Sequence, residues 1–78
     1  MARFVFRNSL WITLIPSDNG MMFFISDDMM SIPRQLGSMK TIFNEIDAYL
    51  TVWRRSVLSE IEKKDIRRWL VQNGVTLF

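Results

Sequence analysis

The sequence predicts a small α+β domain: an antiparallel sheet, made of an N-terminal strand and a β-hairpin and extendable by a C-terminal strand, packed on a long and a shorter amphipathic helix. Three observations carry this. Apolar residues alternate or run in short β-prone stretches up to residue 26, a long helical stripe begins at Ser38, and a second helix opens at Ser59. The whole chain, 1–78, reads as one domain. A chain of this size buries only about 60–65% of the surface its unfolded form exposes, which leaves little stability in reserve.

Arg3-Phe4-Val5-Phe6-Arg7 places two phenylalanines on one face and arginines on the other, the period of a half-buried strand. Asn8-Ser9 reads as a turn or bulge. Leu10–Ile15 is rich in β-branched and aromatic residues, and Pro16 is followed by Ser17-Asp18-Asn19-Gly20 and a second apolar run, Met21–Ser26. Asn-Gly tolerates positive φ at both central positions of a type I′ turn, so Asn19-Gly20 is expected as the hairpin loop, with Leu14 opposite Ile25 and Ile15 opposite Phe24.

One hairpin face then carries Leu10, Ile12, Leu14, Met21, Phe23 and Ile25. The other carries Trp11, Thr13, Ile15, Met22, Phe24 and Ser26. Both are largely apolar, whereas a sheet with one solvated side alternates apolar with polar. Trp11, Ile15, Met22 and Phe24 are therefore the candidate protein-binding face, since aromatic residues and Met are enriched in interface cores. The opposing explanation is that the segment Met29–Leu36 or the tail Val75–Phe78 folds across them.

Met29–Gly37 is interrupted by Pro33 and Gly37 and is expected to be a loop, with one short helical turn near Pro33–Leu36. Ser38 is a candidate N-cap for a helix ending near Val57. Its stripe of Met39, Ile42, Phe43, Ile46, Tyr49, Leu50, Trp53 and Val57 recurs at three- and four-residue steps and is expected to be buried. Ser59-Glu60-Ile61-Glu62 matches a capping box. In the helix it opens, Ile66, Trp69 and Leu70 share one arc, Lys63, Lys64, Arg67 and Arg68 share the opposite one, and Asn73-Gly74 supplies the stop. Val75–Phe78 is expected as an edge strand or packed tail.

The net charge of +2 is unevenly distributed. Residues 1–50 hold four basic and five acidic side chains, whereas residues 51–78 hold six basic and three acidic. Arg54, Arg55, Lys63, Lys64, Arg67 and Arg68 are accordingly the candidate contact for nucleic acid or an acidic partner. Two helices meeting near Val57–Ser59 loosely resemble a helix-turn-helix, but the turn lacks glycine, and Glu60 stands three and four residues from Lys63 and Lys64 and offsets part of the charge.

The chain has no Cys and no His. That removes disulfides, the thiol nucleophile and the commonest general base, and the three glycines stand apart rather than in a phosphate loop, so no catalytic residue and no cofactor are expected. Asp27-Asp28 with Asp18 lacks the spacing of a calcium loop and reads as turn capping; no metal site is expected. The methionine pairs Met21-Met22 and Met29-Met30 are expected to fill core.

The apolar run Leu10–Ile15 is far too short to span a bilayer, no signal peptide is visible, and neither a membrane partner nor a compartment other than the cytoplasm is expected. A small interaction or regulatory protein is the reading these features support. Its expected partner is a protein, with a second copy of the chain as one option. By size and composition it is comparable to accessory inhibitors of phages and mobile elements. A nucleic-acid-binding regulator is the alternative.

Overall fold

The computed structural model describes residues 2–17, 20–35 and 38–75 and is α+β: a four-stranded antiparallel sheet and two helices. The chain divides into two compact units, 1–36 and 37–78. The first holds β1 (Ala2–Arg7), β2 (Leu10–Ser17), β3 (Gly20–Ser26) and β4 (Ser31–Gln35), paired in the order β1-β2-β3-β4. The second holds α1 (Met39–Arg54) and α2 (Glu60–Gln72).

In the sheet, β1 meets β2 through Phe4↔Ile12 and Val5↔Trp11, and the register then shifts so that Arg7 faces Leu10. Phe6 is the extra residue of this bulge, and Ser9 closes the turn at a φ of 60°. The β2–β3 register is one turn position away from the expected one: Ser17 pairs with Gly20, Leu14 with Phe23 and Ile15 with Met22. Gly20 is therefore a strand residue, and the Asn19-Gly20 loop is corrected. Both registers keep the same residues on the same face, because they differ by two positions and side chains alternate with period two. Leu10, Ile12, Leu14, Phe23 and Ile25 are buried, as one of the two predicted faces requires.

The expected loop with a helical turn near Pro33–Leu36 is instead strand β4, pairing Phe24↔Pro33 and Ser26↔Ser31. Proline is admissible here because, among the described residues, β4 has a strand on one side only, so an N–H missing from the outer edge breaks no ladder bond. A four-residue connection, Asp27–Met30, joins β3 to β4. Asp27 Oδ1 accepts from the backbone N–H groups of Met29 (2.7 Å) and Met30 (2.9 Å), and the Asp27 N–H donates to the Met30 carbonyl (3.0 Å). Asp27 thus caps a turn, and Met29 stands out from it rather than in the core, 88% exposed.

In the helical unit, Ser38 caps α1 by accepting from the Thr41 N–H, and Met39, Ile42, Phe43, Ile46, Tyr49 and Leu50 are buried. The helix stops at Arg54, three residues before the expected end. Arg55 takes a left-handed conformation (φ 50°, ψ 47°), and its N–H and that of Ser56 both donate to the Leu50 carbonyl. What redirects the chain is Leu58: its side chain is buried and its N–H donates to Asp47 Oδ1 at 2.8 Å. Trp53 and Val57, placed by the periodicity in the buried stripe, are consequently exposed, Trp53 in the last turn and Val57 off the helix altogether.

The capping box forms as its spacing requires. Ser59 Oγ accepts from the Glu62 N–H (3.1 Å), and Glu62 Oε1 accepts from the Ser59 N–H (2.9 Å). At the other end Gly74, at a φ of 80°, donates to the Val71 carbonyl while the Val75 N–H donates to that of Leu70, the paired bonds of a Schellman stop. Ile66 and Leu70 are buried and Trp69 is half-buried. The Arg67 guanidinium of α2 lies 5.6 Å from the centre of the Phe43 ring of α1, a cation–π contact between the two helices. Of the segment expected as an edge strand or packed tail, Val75–Phe78, Val75 is buried and belongs to no strand, and residues 76–78 lie outside the described residues.

Two substitutions test this account of the α1 terminus. Asp47→Ala removes a charged acceptor from the N–H of buried Leu58 and is expected to cost about 1.5–3 kcal/mol in urea unfolding. Arg55→Gly relieves the left-handed cost of a side chain, offset by added freedom in the unfolded chain, and is expected to stabilise by about 0.5–1 kcal/mol.

Candidate functional site

The second face of the sheet is where the predicted protein-binding residues lie. Alternation along β2 and β3 sends Trp11, Thr13 and Ile15, with Met22, Phe24 and Ser26, to the side opposite the buried Leu10–Ile25 set. Trp11, Ile15, Met22 and Phe24 are all half-buried: neither sealed in the subunit nor fully in water. Thr13 and Ser26, between them, are buried, and Ser26 Oγ is satisfied by Ser31 Oγ at 2.8 Å. Pro33 sits beside Phe24 on the neighbouring strand and extends the apolar surface towards the sheet edge.

Trp11, Thr13, Ile15, Phe24 and Ser26 floor an open hollow of about 530 Å³, and the turn Asp27–Met30 with Ser31 forms its lip. This volume lies within the range of about 300–1,000 Å³ usual for sites that hold small molecules or side chains. The lip is held by the hydrogen bonds of Asp27, so Asp28 and Met29 project from a fixed turn. At the Trp11 end the Arg3 guanidinium stacks 4.1 Å from the indole centre, a cation–π contact that fixes the ring's orientation. The site thus has an aromatic and aliphatic floor, two carboxylates on one lip and a cation over its tryptophan. Of the folded-over covers the sequence allowed, Met29 and Met30 approach the face only as its lip, and Ser31–Gln35 lies beside the hairpin as a strand.

The six basic residues of the second candidate site all fall in the helical unit, in different environments. Lys63 is half-buried and 3.6 Å from Glu60, and Arg67 is stacked on Phe43. Arg54 and Arg55 are exposed at the end of α1, and Lys64 and Arg68 are exposed on α2. At 100° per residue, Ile61, Lys64, Arg68 and Val71 share an arc of about 80° directed away from Ile66 and Leu70.

Sequence reasoning missed one group. Val52, Trp53, Val57 and Ile61, 52–73% exposed, surround the connection between the helices. The available signals were Ile61 and Val52, which are out of phase with the buried arcs of α2 and α1; Trp53 and Val57 depend on where α1 ends. Among the described residues no group of His, Cys, Asp and Glu side chains is placed to hold a metal ion, and no helix is long and apolar enough to cross a membrane. No family model, no curated protein and no solved structure matches this chain.

Proposed function

We propose that this chain is a small non-catalytic interaction protein that binds a polypeptide segment on the outer face of its sheet. The observation that carries the reading is the open hollow over Trp11, Ile15 and Phe24, half-buried apolar side chains gathered on a hydrogen-bonded sheet. Burying these side chains on a partner supplies affinity in proportion to the apolar area removed from water. The lip sets the chemistry of the occupant: an apolar side chain enters the hollow, and a lysine or arginine next to it meets Asp28. A regulatory or inhibitory role in the cytoplasm, of the kind served by accessory proteins of mobile elements, fits the size and the lack of cysteine.

The alternative, a nucleic-acid regulator using Arg54, Arg55, Lys63, Lys64, Arg67 and Arg68, has less support. Lys63 is paired with Glu60 and Arg67 is committed to Phe43. The two readings differ in their response to salt, since phosphate contacts release counterions and an apolar interface does not.

Selection of displayed peptides on the immobilised chain is expected to enrich an aromatic or large aliphatic anchor beside Lys or Arg. Binding of the selected peptide should survive moderate salt and weaken at least about tenfold in Phe24→Lys or Trp11→Lys. Enrichment of acidic peptides, or binding indifferent to both substitutions, would overturn the proposal.

A further inference from the structure

The sheet has two outer edges, and they are built differently. At β4 the Asp27 N–H donates to the Met30 carbonyl, which fixes the phase of the ladder, because bonded and non-bonded pairs alternate along antiparallel strands. Ile25↔Ile32 is then a bonded pair, so Ser31, Pro33 and Gln35 turn their backbone groups to the outer edge. In the middle of that edge Pro33 has no N–H, and its carbonyl accepts from Arg34 Nη1 at 2.9 Å. This edge is closed to another strand.

The same phase, carried across the sheet, makes Thr13↔Phe24 a bonded pair, and Ile12 and Leu14, which alternate with Thr13, bond to Phe4 and Ala2. Arg3 and Val5 therefore direct their N–H and C=O groups away from β2. Among the described residues no strand lies beyond them, and the edge has no proline and no irregularity before the bulge at Phe6. Val5 is 58% exposed there. The Arg3 guanidinium is drawn over Trp11 of β2, which carries its charge inward from the edge.

We propose that β1 pairs antiparallel with β1 of a second copy, joining the two sheets into one. Three observations select this occupant. A copy cannot add through the closed β4 edge, so the contact is β1 to β1, which is isologous and ends at two subunits rather than growing into a fibre. Only registers that bond the outward groups of Arg3 and Val5 to each other use this edge, which leaves two-fold centres at residues 3, 4 and 5. Centring on residue 3 or 5 sets Arg3 against the partner's Arg3 or the partner's Arg7, like charges directly opposed, whereas centring on Phe4 sets Arg3 against the partner's Val5.

In that register each Val5 lies beside the aliphatic stem of an arginine, and the two Phe4 rings meet in a non-bonded pair, where side chains approach most closely. A chain this small, with no cysteine to staple it, gains from the added burial. The seam is one short strand long, so the dimer exchanges with the monomer.

Sedimentation of the full chain from about 1 μM to about 1 mM should show the mass rising from one subunit towards two. Over that range the Arg3 and Val5 amides should gain at least about tenfold protection from hydrogen exchange, while the Phe4 amide, bonded to β2, is protected throughout. Val5→Pro removes an N–H that faces only the seam and should hold the chain monomeric. Val5→Lys, which meets the partner's Arg3 at two places in the dimer, should weaken association at least about tenfold. Circular dichroism reports that each variant is folded. Because the chain has no cysteine, a single one reads the register: Phe4→Cys should oxidise to a covalent dimer at least about tenfold faster than Val5→Cys.

A mass of one subunit at every concentration would overturn the proposal and leave the edge to a foreign segment. So would Arg3 and Val5 amides already protected in the monomer, which would mean that the chain covers its own edge. Wild-type association by Val5→Pro and Val5→Lys, or faster cross-linking through Val5→Cys, would overturn it equally.

Discussion

Strands β2 and β3 are apolar on both sides, and the rest of the sheet depends on how that surplus is accommodated. Alternation places Leu10, Ile12, Leu14, Phe23 and Ile25 on one face and Trp11, Ile15, Met22 and Phe24 on the other. Only the first set is buried to completion. The second is handled by smaller devices: Pro33 beside Phe24, the Asp27 turn raised as a lip, and Arg3 laid over the Trp11 ring. Each shelters part of the face and none closes it. A fully sealed face would add stability and remove the surface that supports a binding role.

The helical unit meets a related constraint at one point. The apolar stripe of α1 is continuous through Trp53, but burial ceases after Leu50 because the chain turns to bury Leu58 and satisfy its N–H with Asp47. The turn is made by Arg55, an L-residue in the left-handed region, where glycine would be easier. Terminating the helix there leaves Trp53 and Val57 in water beside two arginines. The two surfaces differ in chemistry: the sheet hollow is edged by the Asp27–Met30 turn, whereas the end of α1 carries Arg54 and Arg55.

Features governed by local chemistry were legible in the sequence. The Ser38 cap, the Ser59–Glu62 box, the Gly74 stop and the two hairpin faces each follow from a few adjacent side chains, and all are present. Features decided at a distance were not. Pro33 argues against a strand unless the strand is known to be an edge, and the edge is defined only by the order β1-β2-β3-β4. Registers differing by two residues present the same faces, so alternation could not choose between Leu14↔Ile25 and Leu14↔Phe23. The end of α1 depends on Asp47 reaching Leu58, eleven residues away, and no helix-stop signal precedes it.

Partial exposure of the outer sheet face is the claim on which the functional account stands, and Trp11 reports on it. Acrylamide quenching of its fluorescence, in the full chain carrying Trp53→Phe and Trp69→Phe so that one indole remains, measures that exposure directly. The account predicts quenching between that of a free indole and that of a core residue. An indole as inaccessible as a fully buried one would contradict it, because no open hollow would then exist over Ile15 and Phe24.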